Sequence, residues 1–109
     1  MQSSINFLIS IKSGNLENFT TAYNFTTALL KRPSLVVNMI FFYQDGCNIL
    51  LDTAIHHRWI LLLAHNQLHA TVCTSSCKKR GIKLVSPFKP GSMMEFIDTS
   101  KITNKVIQF

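Results

Sequence analysis

The segment "LHATVCTSSCKKRGIKL", residues 68–84, holds two of the chain's three cysteines, Cys73 and Cys77. It begins like a strand and ends like a basic helix terminus. A thiol does nucleophilic work as the thiolate, and an unperturbed cysteine, with a pKa near ~8.5, is only a few per cent ionised at neutral pH. Unpaired N–H groups at a helix start lower that pKa. Cys73 stands where strand should give way to helix. The amides of Ser75 and Ser76 are therefore expected to point at its sulfur, and the hydroxyls of Thr74 and Ser75 to add hydrogen bonds. Lys78, Lys79 and Arg80 add positive charge from the far end of the helix. The same local pattern also describes a buried, inert cysteine packed under a sheet, and spacing alone leaves both readings open.

The other candidates are weaker. Cys77 lies one helical turn on and is expected to pack. Cys47 follows the "QDG" turn, where it reads as a loop residue that ends near Cys73. No Cys-x2-Cys or His-x3-His spacing supports a structural metal site among Cys47, Cys73, Cys77, His56, His57, His65 and His69, so no metal is expected. His56 and His57 are expected near a helix start and exposed, without an evident carboxylate, so no Cys–His pair is assigned. Gly14, Gly46, Gly81 and Gly91 are isolated and form no phosphate loop. The cluster Lys78–Lys83 has no stacking aromatics between its bases and reads as a solvated helix end.

The elements that must position these residues follow from the hydrophobic pattern. Ile5–Ile11 is a buried strand. Asn15 caps a helix with Glu17 in its first turn and Phe19, Ala22, Tyr23, Thr26, Leu29 and Leu30 at helical spacing; Lys31 and Arg32 suit its C-terminus and Pro33 stops it. Residues 35–43, "LVVNMIFFY", are expected to form a central strand covered on both faces. Asp52 or Thr53 can cap a second helix in which Ile55, Trp59, Leu62 and Leu63 share a face. "LHATV" is a third strand. "TSSCKKR" is a helical turn ended by Gly81. Residues 82–90 are a connection with a short strand, "GSMMEFIDTSKI" is a short helix and "KVIQF" a terminal strand. This alternation predicts a single α/β domain over residues 1–109. It has three layers: a mostly parallel sheet of about five strands with helices on both faces. In such sheets functional residues gather at the carboxyl ends of strands, where Cys73 is placed.

Composition sets the remaining bounds. Apolar residues make up 47%, enough for a real core, while only 15% are charged, so part of the surface is expected to be covered by a partner. The net charge of +6 reflects scarce acids and selects neither nucleic acid nor an acidic protein. No apolar run reaches the ~18–20 residues of a membrane span. The N-terminus has no basic stretch ahead of its apolar run, so no signal peptide is expected. Three free thiols suit a reducing cytoplasm. The run Ile60–Leu63 makes the second helix apolar on more than one face. That predicts an obligate assembly through this helix or adjoining loops.

"FFYQDG" at 41–46, Trp59, "LHATVCTSSCKKRGI" at 68–82 and "KVIQF" at 105–109 together make the chain resemble the TusD-like sulfur-relay subunits of the DsrE-like family. Cys73 precedes Gly81 by eight residues, as the resemblance requires. The segments between "FFYQDG" and Trp59, and between Gly81 and the last helix, are shorter than in those relatives. The resemblance implies a cytoplasmic sulfurtransferase without a cofactor. Cys73 would form the persulfide, supported by Thr74 and Ser75. The implied partners are TusB-like and TusC-like subunits in a hetero-oligomer and a TusE-like sulfur acceptor. The sulfur would end in the 2-thiouridine of the tRNA wobble position, with tRNA met only indirectly. A non-catalytic interaction subunit of the same fold and a small RNA-binding module stand as alternatives.

Overall fold

The computed structural model describes residues 4–51 and 53–109. Five strands form one parallel sheet in the order β4-β3-β2-β1-β5. They are β1 (Ile5–Ile11), β2 (Leu35–Phe42), β3 (Ala70–Cys73), β4 (Lys89–Gly91) and β5 (Lys105–Gln108). Between them run helices α1 (Leu16–Leu30), α2 (Thr53–Asn66), α3 (Thr74–Arg80) and α4 (Met93–Lys101), and a 3-10 helix over Gln44–Leu50. This is the layered α/β architecture that the alternation of elements predicts.

The helix ends have local causes. Asn15 caps α1 by accepting from the Asn18 amide at 2.8 Å, and Ser92 caps α4 by accepting from the Glu95 amide at 3.2 Å. Gly81 ends α3 with φ of 63°, a left-handed turn that costs glycine little. Lys31 is the C-cap of α1 rather than part of its last turn. The proposed α2 cap at Asp52 lies outside the described residues, as does the side chain of Thr53.

The sheet separates two apolar clusters of unequal size. The larger holds Ile9, Ile11, Ile40, Phe42, Ala70 and Val72 from the strands, closed by Phe19 and Leu29 of α1 and by Ile55, Trp59, Leu62 and Leu63 of α2. Trp59 is fully buried, with ring centroids 5.3 Å from Phe42 and 5.8 Å from Tyr23. The smaller cluster, on the other face, is Leu8, Met39, Phe41 and Cys73, covered by Tyr43 and by Phe96 of α4. Helices therefore cover both faces, but α4 has no buried residue of its own.

β2 departs from the expected uniform burial. Phe7 pairs with Val37 and Leu8 with Met39, so Asn38 is an extra residue on β2. The bulge reverses the side-chain alternation, and Leu35 and Val37 pack on the same cluster as Ile40 and Phe42. Val36 and Asn38 are exposed, and only Met39–Phe42 is buried throughout. Asn38 instead donates to the Thr103 hydroxyl at 3.3 Å.

Candidate functional site

Cys73 is the last residue of β3 and the N-cap of α3. Its neighbours come from three separate segments that reach the same end of the sheet: Tyr43 and Gln44 after β2, Gly91 at the end of β4, and Met93 at the start of α4. Gly91 pairs with Cys73 in the sheet. A Cβ at Gly91 would run into the Thr71 side chain, so glycine permits this close approach. Tyr43, Gln44, Cys73, Ser75, Ser76, Lys79, Arg80 and Met93 line a cleft of about 380 Å³.

Hydrogen bonding sets the state of the thiol. The Ser75 hydroxyl lies 3.3 Å from the Cys73 sulfur. The Ser76 hydroxyl and the Ser75 and Ser76 amides also favour the thiolate, though none of them makes a capping hydrogen bond to the sulfur. Burial alone pushes the Cys73 thiol up. The two hydroxyls and two amides outweigh it, and the net pKa falls below the ordinary cysteine value. The basic cluster plays no part in this shift. Arg80 is turned away, donating to Asp45 at 3.0 Å and to the Ser76 carbonyl at 3.2 Å.

Three expectations need correction. Thr74 does not hydrogen-bond the sulfur; its hydroxyl donates to the Gly91 carbonyl at 3.2 Å and ties α3 to β4. Access to Cys73 is narrower than a relay thiol suggests, because the residue is 2% exposed on the floor of its cleft. Its place in a packed cluster thus coexists with a lowered thiol pKa. His56 is not an exposed surface histidine. It is half-buried, its ring stacks on Phe88 at 5.4 Å, and its Nδ1 lies 3.0 Å from the Ile49 carbonyl oxygen.

The other two cysteines lie across the sheet, in the larger cluster. Cys47 sits in the 3-10 helix rather than a plain loop, and its sulfur approaches the carbonyls of Cys73 at 3.9 Å and Phe42 at 4.0 Å. Burial, with added effects from Cys77 and Cys73, pushes the Cys47 thiol up to about 12. Burial also raises Cys77. The three thiols thus divide into one that is lowered and two that are raised. Among the described residues no group of three or more His, Cys, Asp or Glu is placed to hold a metal ion, and no helix is long and apolar enough to cross a membrane. The buried Ser76 hydroxyl went unrecognised in the sequence, where only its amide stood out.

The DsrE/DsrF-like family model matches residues 4–109. The sulfurtransferase TusD of Buchnera aphidicola subsp. Schizaphis graminum is 25% identical over 124 residues, which cover 94% of this chain and 96% of that protein. Among solved structures, the ychN protein from E. coli superimposes with a TM-score of 0.79 at 17% identity, over 100% of both chains. A protein of unknown function from Methanobacterium thermoautotrophicum superimposes with a TM-score of 0.81 at 12% identity, over 97% of this chain and 100% of that one. At these identities both structures speak to the fold alone.

Proposed function

The chain belongs to the DsrE/DsrF-like family, and on that premise we propose that it is a sulfur-relay sulfurtransferase subunit whose Cys73 carries persulfide sulfur toward 2-thiouridine synthesis at the tRNA wobble position. The observation that carries this reading is the asymmetry among the thiols. Cys73 alone is drawn below the ordinary cysteine pKa, and it lines a cleft of about 380 Å³; Cys47 and Cys77 are raised, and Cys77 lines a smaller cavity of about 180 Å³.

The chemistry is thiol exchange. The Cys73 thiolate attacks the terminal sulfur of a donor persulfide, R–S–SH. A bond forms between the Cys73 sulfur and that atom, the donor S–S bond breaks, and R–S⁻ leaves with the electron pair. The proton stays on the transferred sulfur. An acceptor thiolate then attacks the outer sulfur of Cys73–S–SH, and the Cys73 thiolate leaves. Both steps balance without an external oxidant or reductant. Ser75 stabilises the thiolate as nucleophile and again as leaving group. Thr74 acts indirectly, by fixing the first turn of α3 against β4.

The same reading places the chain in the cytoplasm, in a hetero-oligomer with TusB-like and TusC-like subunits, with a TusE-like protein as acceptor and no direct contact with tRNA. Exposed apolar residues favour assembly, and α2 itself offers little of that surface. On α2 only Leu61 is largely uncovered, at 45%, and Ile60 is half-buried. The two most exposed lie on and after α4, Met94 at 66% and Ile102 at 75%, followed by Leu51 at 62% in the segment ahead of α2.

Mass spectrometry after incubation with a persulfide donor tests the function. The expected result is one added sulfur on the Cys73 peptide, absent from Cys73→Ser. Equal loading of wild type and Cys73→Ser refutes it.

A further inference from the structure

The lining of the Cys73 cleft is unbalanced in charge. Lys79 and Arg80 line it, and no carboxylate among the described residues does. The two cations differ in what they already hold. Arg80 donates to Asp45 at 3.0 Å and to the Ser76 carbonyl at 3.2 Å. Lys79 is exposed and makes no ion pair or hydrogen bond among the described residues. Lys78 lines the adjoining groove instead, together with Glu95. The helix dipole favours bases in the last turn of α3, but of the three only Lys79 both lines the cleft and lacks a partner. α3 is seven residues long. At 1.5 Å per residue Lys79 lies about 9 Å along the axis from Cys73, comparable with the screening length of about 8–10 Å at physiological salt. A charge carried close to an incoming sulfur therefore falls within the field of Lys79.

We propose that Lys79 is a specificity-determining residue for exchange at Cys73, selecting a partner whose reactive sulfur sits on an acidic peptide segment, with a carboxylate close to that sulfur. The assignment rests on Cys73 being the sulfur carrier and names the chemistry of the partner that delivers or removes the sulfur. At about 380 Å³ the cleft has the size of a small-ligand pocket, with the sulfur on its floor. It suits a short extended segment that carries its thiol inward. Nucleic acid is also anionic, but it binds such grooves by stacking bases on open aromatic faces. The one aromatic ring in the cleft lining is Tyr43, which stacks on Phe41 with ring centroids 5.5 Å apart and packs against Phe96 at 6.1 Å. Its hydroxyl donates to Gln108 at 2.9 Å. The ring is occupied within the chain, and the charge alone faces the occupant.

The test compares two methanethiosulfonates of similar size, the anionic carboxyethyl and the cationic trimethylammonioethyl reagents. With each, the Cys73 thiolate attacks the sulfenyl sulfur, a mixed disulfide forms, and methanesulfinate leaves with the electron pair. Peptide mapping of quenched samples gives the rate at Cys73 in wild type, Lys79→Gln, Lys79→Glu and Lys83→Gln. The readout is the anionic-to-cationic rate ratio, divided by the same ratio for mercaptoethanol. A change in folding or in ionisation of the thiol alters both rates alike and leaves the ratio in place. The wild-type ratio is expected to be about ten at low salt and to fall toward one in about 1 M salt. Lys79→Gln should lower it at least about threefold and Lys79→Glu should invert it, whereas Lys83→Gln, the same charge loss at a residue that lines neither cavity, should change it less than about twofold. A wild-type ratio of one or less at low salt, or equal effects of Lys79→Gln and Lys83→Gln, overturns the assignment. As competitors, a glutamate-rich peptide should protect Cys73 better than a lysine-rich peptide or an oligouridylate of equal charge; stronger protection by the oligouridylate overturns the choice of a peptide. Failure of the relay reading looks different: Cys73 would keep its charge preference yet take up no sulfur from any persulfide.

Discussion

Access and ionisation rank the three thiols differently, and a disulfide exchange probe separates the two. By exposure alone the order is Cys77 at 5%, Cys73 at 2%, Cys47 at 0%. By ionisation Cys73 comes first, because it alone is lowered. At pH 7 a thiol raised to about 12 is ionised in roughly one molecule in 10⁵, against about 3% for an ordinary cysteine. That is a ratio of about 3,000. The more basic thiolate is the better nucleophile, with a Brønsted slope of about 0.45, and this returns roughly 40-fold to Cys47. Roughly two orders of magnitude remain in favour of an ordinary cysteine, and Cys73 lies on the favourable side of ordinary. A small aromatic disulfide should therefore modify Cys73 at least about 100-fold faster than Cys47 at pH 7. Cys73→Ser should remove nearly all of the fast phase, whereas Cys77→Ser should leave it in place. Stopped-flow absorbance gives the rates and peptide mapping the sites. If Cys77 reacts first, exposure governs and the hydrogen-bond argument for Cys73 fails. If all three react at one rate, the reaction reports global opening and the cleft has no chemical identity.

Three further outcomes follow from the same contacts. Trp59→Ala should cost about 3–5 kcal/mol in urea denaturation. Trp59→Phe should cost clearly less, because it also removes an indole N–H that has no partner among the described residues; equal costs would refute that reasoning. A raised thiol such as Cys47 contributes stability that is present below the ordinary cysteine pKa and lost as pH rises toward about 12. Cys47→Ala should therefore flatten the decline of Tm above about pH 8.5, and curves parallel to wild type would count against it. Met94→Lys or Ile97→Lys should weaken association with TusB-like and TusC-like partners at least about tenfold by light scattering; a wild-type monomer that ignores those partners would refute the assembly.

What could be read from the sequence had local causes. Buried parallel strands appear as apolar runs because both faces are covered, and Leu8–Ile11 of β1 is such a run, whereas Ile5 at its start is exposed. Caps are short-range bonds, so Asn15 and Gly81 announce their helix ends within four residues. The position of Cys73 at a strand–helix junction is likewise local. The bulge at Asn38 was not legible, because register belongs to a pair of strands and β1 supplies the other half. Nor was the division of the cysteines. Cys73 and Cys77 are one helical turn apart, yet they occupy opposite faces of the sheet. The N-cap residue keeps the direction of the strand, while Cys77 follows the rotation of the helix.

That division bears directly on the chemistry. A persulfide on Cys73 would be vulnerable to any neighbouring thiolate, which could attack the inner sulfur and release sulfide. The sheet puts Cys47 and Cys77 behind the backbone of β3, and burial keeps both protonated. The two cysteines nearest in the fold are therefore poor competitors for the sulfur that Cys73 would hold. A chain can carry three thiols around one strand end and still present a single acceptor, provided the strand lies between them. Other residues around the cleft, such as Gln44 and Ser76, meet only when the end of β2 and α3 are brought to the same edge of the molecule. A sequence can thus reveal a candidate nucleophile through its own turn of chain, while the groups that surround and shield it arrive with the topology.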